Sequence, residues 1–143
     1  MTGEDLESLT LEQIDGVVWP PPPSDATRLM KTVHALRRKM IRALSVEDLR
    51  TLLGQREGVG VLVPRTLDLL EQDPLAEGDY YPGDLLVATL QISEDYWTVN
   101  SSSAVRLRSV VQRLEQRDDL DDYFPQDDGI SARINELRSA HLL

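Results

Sequence analysis

Residues 84–95 read Asp84-Leu85-Leu86-Val87-Ala88-Thr89-Leu90-Gln91-Ile92-Ser93-Glu94-Asp95, and whether this run is strand or helix decides the fold. The apolar part, Leu85 to Ile92, is short enough for a buried strand, and periodicity alone does not separate the two readings. Its surroundings do. Ser93-Glu94-Asp95 opens another helical turn, bearing Tyr96 and Trp97, and no other stretch offers a strand to pair with it. A lone buried strand leaves its backbone donors and acceptors without partners. The run is therefore expected to be helical, with Asp84 as its cap, and the chain to be all-α: one compact domain over residues 1–143 with six or seven helices.

Working outward, the preceding stretch from Pro74 to Asp84 is a loop, with Gly78, Pro82 and Gly83 as its turn residues. Before it, Leu62, Val63, Leu67 and Leu70 form the stripe of a helix that follows the Gly58/Gly60 turn, holds Pro64 near its first turn and stops at Asp73-Pro74. Ser45 with Asp48 caps a helix whose core face is Leu49, Leu52 and Leu53. Leu29, Val33, Leu36 and Met40 fall at i, i+4, i+7 and i+11, one apolar stripe, with Ser24 or Asp25 as the cap. Thr10 with Gln13 has capping-box spacing, and Gly16 stops that short helix. Trp19-Pro20-Pro21-Pro22-Pro23 excludes helix interior and central strand, and is expected to be a stiff strap with Trp19 packed on the domain. Downstream, Asn100 to Ser103 caps a helix bearing Ala104, Leu107, Val111 and Leu114. An acidic connector over residues 115–128, carrying Tyr123-Phe124-Pro125, leads to a last helix with Ile130, Ile134 and Leu137 facing in. Residues 1–8 are expected to fray.

Composition narrows the function. The 143 residues carry 25 acidic against 15 basic side chains, a formal charge of −10. That sign disfavours direct contact with nucleic acid or an anionic membrane. There are no cysteines, so thiolate chemistry is excluded. Met1 to Asp15 lacks the basic and apolar regions of a signal peptide, and no stretch reaches the roughly 18 apolar residues of a membrane span, so a cytoplasmic location is expected. His34 and His141 have no companion nitrogen or sulfur ligands for a metal. Gly58-Val59-Gly60 lacks the Gly-Lys-Ser/Thr of a phosphate loop, and no Gly-x-Ser-x-Gly elbow occurs. No catalytic residue, no metal site and no cofactor are expected; the chain reads as a binding protein, not an enzyme.

Its charge is segregated. Residues 28–50 carry seven basic side chains against Glu47 and Asp48, whereas residues 71–84 carry five acidic side chains and no basic one. In the latter stretch the acids alternate with Tyr80 and Tyr81 between Pro74 and Pro82. Tyrosine brings contact area and a hydroxyl at small entropic cost, and acids around it steer a basic partner. Glu71, Asp73, Glu77, Asp79, Tyr80, Tyr81 and Asp84 are thus the expected partner-binding residues.

Several blocks, in order, resemble the contact-dependent growth inhibition immunity proteins. They are Leu9-Thr10-Leu11-Glu12, Trp19 ahead of its prolines, His34 to Lys39, Leu44-Ser45-Val46-Glu47-Asp48-Leu49-Arg50, Leu62-Val63-Pro64, and the long block Asp73 to Leu86. The resemblance covers roughly residues 8–97 and leaves the C-terminal third aside. It implies a protein that neutralises, in the cytoplasm of sibling cells, a toxin domain delivered by a touching neighbour. The implied partner is a cognate toxin C-terminal domain, frequently a nuclease and hence basic. The competing reading is an acidic adaptor or nucleic-acid mimic that sequesters another basic protein; an immunity gene lies beside its toxin gene, an adaptor's need not.

Overall fold

The computed structural model describes residues 6–117 and 130–143. Among these the regular elements are α-helices α1 (Leu11–Asp15), α2 (Arg28–Leu36), α3 (Val46–Gly54), α4 (Val59–Gln72), α5 (Asp84–Leu90), α6 (Glu94–Val99), α7 (Ser101–Glu115) and α8 (Ile130–Ser139), with a 3-10 turn at Ile41–Ala43. The chain is all-α, and the two shortest helices, α1 and α6, bring the number of segments to eight among the described residues.

The run that opened the sequence reading is the central helix. In α5, Leu85, Leu86, Thr89 and Leu90 are fully buried while Val87 and Ala88 are half-exposed. Pairs at i, i+1, i+4 and i+5 are the burial of a helix, where a strand would alternate. α3, α4 and α8 all pack on α5, and α7 packs on α4 and α6. One continuous apolar cluster results, running from Leu11 through Leu49, Leu62, Leu85 and Trp97 to Leu107 and Leu137.

Caps set most boundaries. Thr10 and Gln13 exchange both bonds of a capping box at α1, and Ser45 and Asp48 do the same at α3. α2 is capped by Thr27, which accepts from the Met30 amide, and not by Ser24 or Asp25. The Ala26 amide closes a turn onto the Pro23 carbonyl at 2.9 Å, which delays the helix. The proposed α2 stripe is also shorter than expected: Val33 and Leu36 are buried, but Leu29 and Met40 are 43% and 40% exposed. The helix stops at Leu36, so Met40 falls outside it, and Leu29 lies in its exposed first turn.

α4 starts immediately at Val59, which places Pro64 in the second turn, where it forgoes a bond to the Gly60 carbonyl on an exposed face. Gly58 precedes it at φ +64, and a Cβ there would stand 2.6 Å from a Leu11 methyl. Backbone conformation and the seat of α1 both require glycine.

Asp84 does not cap α5 as expected. Gly83, at φ +89, holds that position, and the Asp84 carboxylate turns back into the preceding loop. At the chain ends, Leu6 to Leu9 form a turn with Glu7 3.7 Å from Arg65, and the Leu9 carbonyl accepts from Ile41. In α8, Ile134 and Leu137 are buried as expected, and Arg133 ties the helix down by donating to the Leu90 and Ile92 carbonyls at 2.7 and 2.8 Å. Residues 1–5, most of the acidic connector with Tyr123-Phe124-Pro125, and the side chain of Ile130 lie outside the described residues.

A tyrosine-bearing acidic loop and the cleft behind it

The loop between α4 and α5 is fastened at both ends. Asp73 accepts from the Leu75 amide at 3.0 Å, and the Ala76 amide reaches the Asp73 carbonyl, forming a tight turn that buries Pro74, Leu75 and Ala76. The Gly83 amide then returns to the Leu75 carbonyl at 3.1 Å.

Two carboxylates hold the tip. Asp84, only 3% exposed, accepts from the Gly78 amide at 2.6 Å and the Tyr80 amide at 3.1 Å. Glu47, from the first turn of α3, accepts from the Asp79 amide at 2.9 Å. Gly78 is squeezed between them: a Cβ would stand 2.5 Å from Glu47 Oε1 and 3.0 Å from Asp84 Oδ2. Arg50 offsets the repulsion of these two anions. Its guanidinium donates to both Glu47 oxygens, at 2.7 and 2.5 Å, and lies 4.5 Å from the Tyr80 ring centroid. The Arg50 hydrogen bonds, aided by the Asp79 amide, hold the Glu47 carboxyl at about 2, well below its ordinary 4.5.

The seven residues expected to bind a partner therefore divide. Glu71 belongs to the last turn of α4, not to the loop. It pairs with Arg106 of α7, which also takes Asp68 at 2.6 Å, and the Arg106 hydrogen bond lowers the Glu71 carboxyl below its usual range. Asp73 and Asp84 are spent on the loop's own backbone. Glu77 and Asp79 are exposed and carry no ion pair among the described residues, while Tyr80 is 69% and Tyr81 41% exposed. The structure brings those four together at the tip. Glu47 and Arg50 were not singled out in the sequence: nothing local distinguishes them from an ordinary i, i+3 surface pair.

Behind the tip lies a cleft of about 770 Å³ between the loop and helices α3, α5 and α6, walled by Tyr80, Tyr81, Tyr96, Leu53, Val87 and Ile92, with Arg56 at its rim. No group of three or more His, Cys, Asp or Glu among the described residues could hold a metal ion. No helix among them is long and apolar enough to cross a membrane.

The basic stretch is partly consumed within the fold. Arg37 is 3% exposed, donates to both oxygens of Asp15 at 2.9 Å, to Glu57 at 3.1 Å and to the Val17 carbonyl at 2.8 Å, and lies 4.8 Å from the Trp19 ring centroid. Trp19 is half-buried against the core, so the proline strap is docked as expected.

A family model described as CDI immunity proteins matches residues 13–107, which takes in α2 to α6, the acidic loop and the first part of α7. A search of curated proteins and a search of solved structures each found no match. With most of its length matched, the chain belongs to the CDI immunity proteins, the toxin-neutralising partners in contact-dependent growth inhibition.

Proposed function

We propose that this immunity protein neutralises a basic nuclease toxin in the cytoplasm by presenting the tip of the acidic loop, Glu77 to Tyr81, to the toxin's substrate-binding face. The observation that carries this reading is the division of labour in the loop. Glu47, Arg50, Asp73 and Asp84 fix the backbone, so that Glu77, Asp79, Tyr80 and Tyr81 are displayed in one arrangement before any partner arrives. A preordered loop loses less conformational entropy on docking. Its two uncommitted carboxylates supply the charge that a phosphate-binding surface attracts, and its two rings supply contact area. A nuclease acts on nucleic acid, so the cytoplasm is where its neutralisation is needed.

The test is co-expression with the C-terminal domain encoded by the neighbouring gene. Wild-type protein should restore growth and co-purify with that domain, and Glu77→Lys/Asp79→Lys should do neither while keeping its melting temperature. Full protection by the double variant would move the interface off the loop.

A further inference from the structure

Arg56 occupies a position that an arginine should avoid. The Glu57 amide donates to the Leu52 carbonyl at 2.9 Å and the Arg56 amide to the Leu53 carbonyl at 3.0 Å, the paired bonds of a Schellman ending to α3. The residue at this point must be left-handed, and Arg56 has φ +59. Glycine is the usual occupant, because a Cβ is penalised there. Glycines stand two residues before and two residues after, at Gly54 and Gly58, yet this position carries a long cationic side chain. Backbone strain of this kind persists where the side chain has other work, and it directs attention to what that side chain faces.

The side chain lines the cleft. Arg56 is exposed, and its guanidinium makes no ion pair or hydrogen bond among the described residues. The other charged groups lining the cleft are committed: Arg50 to Glu47, and Asp84 to the loop amides. The wall is built in advance, since Arg50 pins the Tyr80 ring and Tyr96 is seated edge-on against the fully buried Trp97, centroids 5.1 Å apart. Leu53 and Val87 supply the apolar floor.

We infer that this cleft is the anchor socket of the toxin interface, taking from the toxin an apolar or aromatic side chain that has a carboxylate beside it for Arg56. The inference rests on the proposed function for the identity of the partner, and it adds a second, oppositely charged contact next to the acidic tip. Charge complementarity selects this occupant. A single uncommitted cation among aromatic and aliphatic walls suits one carboxylate, whereas a nucleic-acid strand needs a row of cations, and the chain's charge of −10 repels it. An apolar anchor in a preformed pocket, with a charged pair at its rim, is the arrangement of an interface hot spot.

The experiment is a titration of the neighbouring gene's toxin domain with four full-length proteins: wild type, Arg56→Gly, Arg56→Glu and Ala88→Trp, the last placing an indole in the cleft. Melting temperatures are recorded in parallel. Arg56→Gly should raise the melting temperature, because glycine accepts the left-handed backbone, and at the same time weaken toxin binding about tenfold. Arg56→Glu and Ala88→Trp should weaken it at least as much without unfolding the chain. A merely structural Arg56 would give the gain in stability with affinity unchanged, and that result, or full affinity in Ala88→Trp, overturns the socket while leaving the loop reading intact. Absence of wild-type binding to the toxin domain overturns both. Sedimentation showing a wild-type dimer that Ala88→Trp dissociates would give the cleft to a second copy of the chain and likewise overturn the assignment.

Discussion

Asp84 shows how a single carboxylate can order a loop from within. A water-exposed aspartate would add charge for steering, but this one is buried and accepts from two amides, so its contribution is to loop geometry. Removing it in Asp84→Ala strands two backbone donors and should cost about 1–3 kcal/mol. Amide exchange should accelerate at Gly78 and Tyr80 and stay slow in α4; uniform acceleration would mean that the residue supports the whole core instead. Glu47 works from the other side, and its chemistry sets a pH window. Its carboxyl titrates near 2 in the folded protein against 4.5 ordinarily, so the folded state favours the ionised form. That stabilisation is present above pH 4.5 and is lost as the pH falls from 4.5 toward 2. The exchange protection of the Asp79 amide should fall in that window for wild type, and Glu47→Gln should remove this pH dependence. A variant that kept it would assign the dependence to another group.

At the scale of elements, the proline strap depends on Arg37. Four prolines make the strap stiff but give it no side-chain donors, and it is fastened by a guanidinium that also collects Asp15 and Glu57. Breaking a fully buried ion pair costs about 3–5 kcal/mol. Here both carboxylates are partly exposed, 44% and 27%, and can return to water, so Arg37→Ala should cost less, about 2 kcal/mol. Trp19 fluorescence should shift to the red and proteolysis should appear within residues 17–24. An unchanged Trp19 spectrum would mean that the strap is held by ring packing alone.

These elements also mark what could be read in advance and what could not. α3, α4 and α7 are legible because their apolar periodicity is local, Thr10-Gln13 and Ser45-Asp48 carry the caps of α1 and α3 within four residues, and α5 is legible because no strand exists to pair with it. Arg37 is not: inside a basic run it reads as surface, and only the convergence of Asp15 and Glu57 from distant segments buries it. The place of Glu71 is hidden for the opposite reason. It looked like part of an acidic loop, but its partner Arg106 lies 35 residues away on α7. Asp84 has the sequence signature of a cap, which a backward-facing loop clamp shares, and the structure makes it the clamp. Arg56 carried no signal beyond a charged residue between two glycines; its significance is a backbone angle.

Over the whole molecule, the segregation of charge survives folding but shrinks. Asp84 is buried within the loop and Glu71 is paired with Arg106, while on the basic side Arg37 is buried and Lys39 pairs with Asp48 at 2.7 Å. At the tip of the loop Glu77 and Asp79 stand exposed beside two tyrosines. Under the proposed function their role is directional: exposed charges act over a Debye length of about 8 Å at physiological salt, and they affect association more than dissociation. The most direct test is the association rate of the neighbouring gene's toxin domain with wild type and with Glu77→Lys/Asp79→Lys, measured across salt concentrations. Wild-type association should be fast at low salt and fall steeply as salt rises, while the double variant should start about tenfold slower and respond only weakly. Equal rates for the two proteins at every salt concentration would contradict capture through the acidic loop.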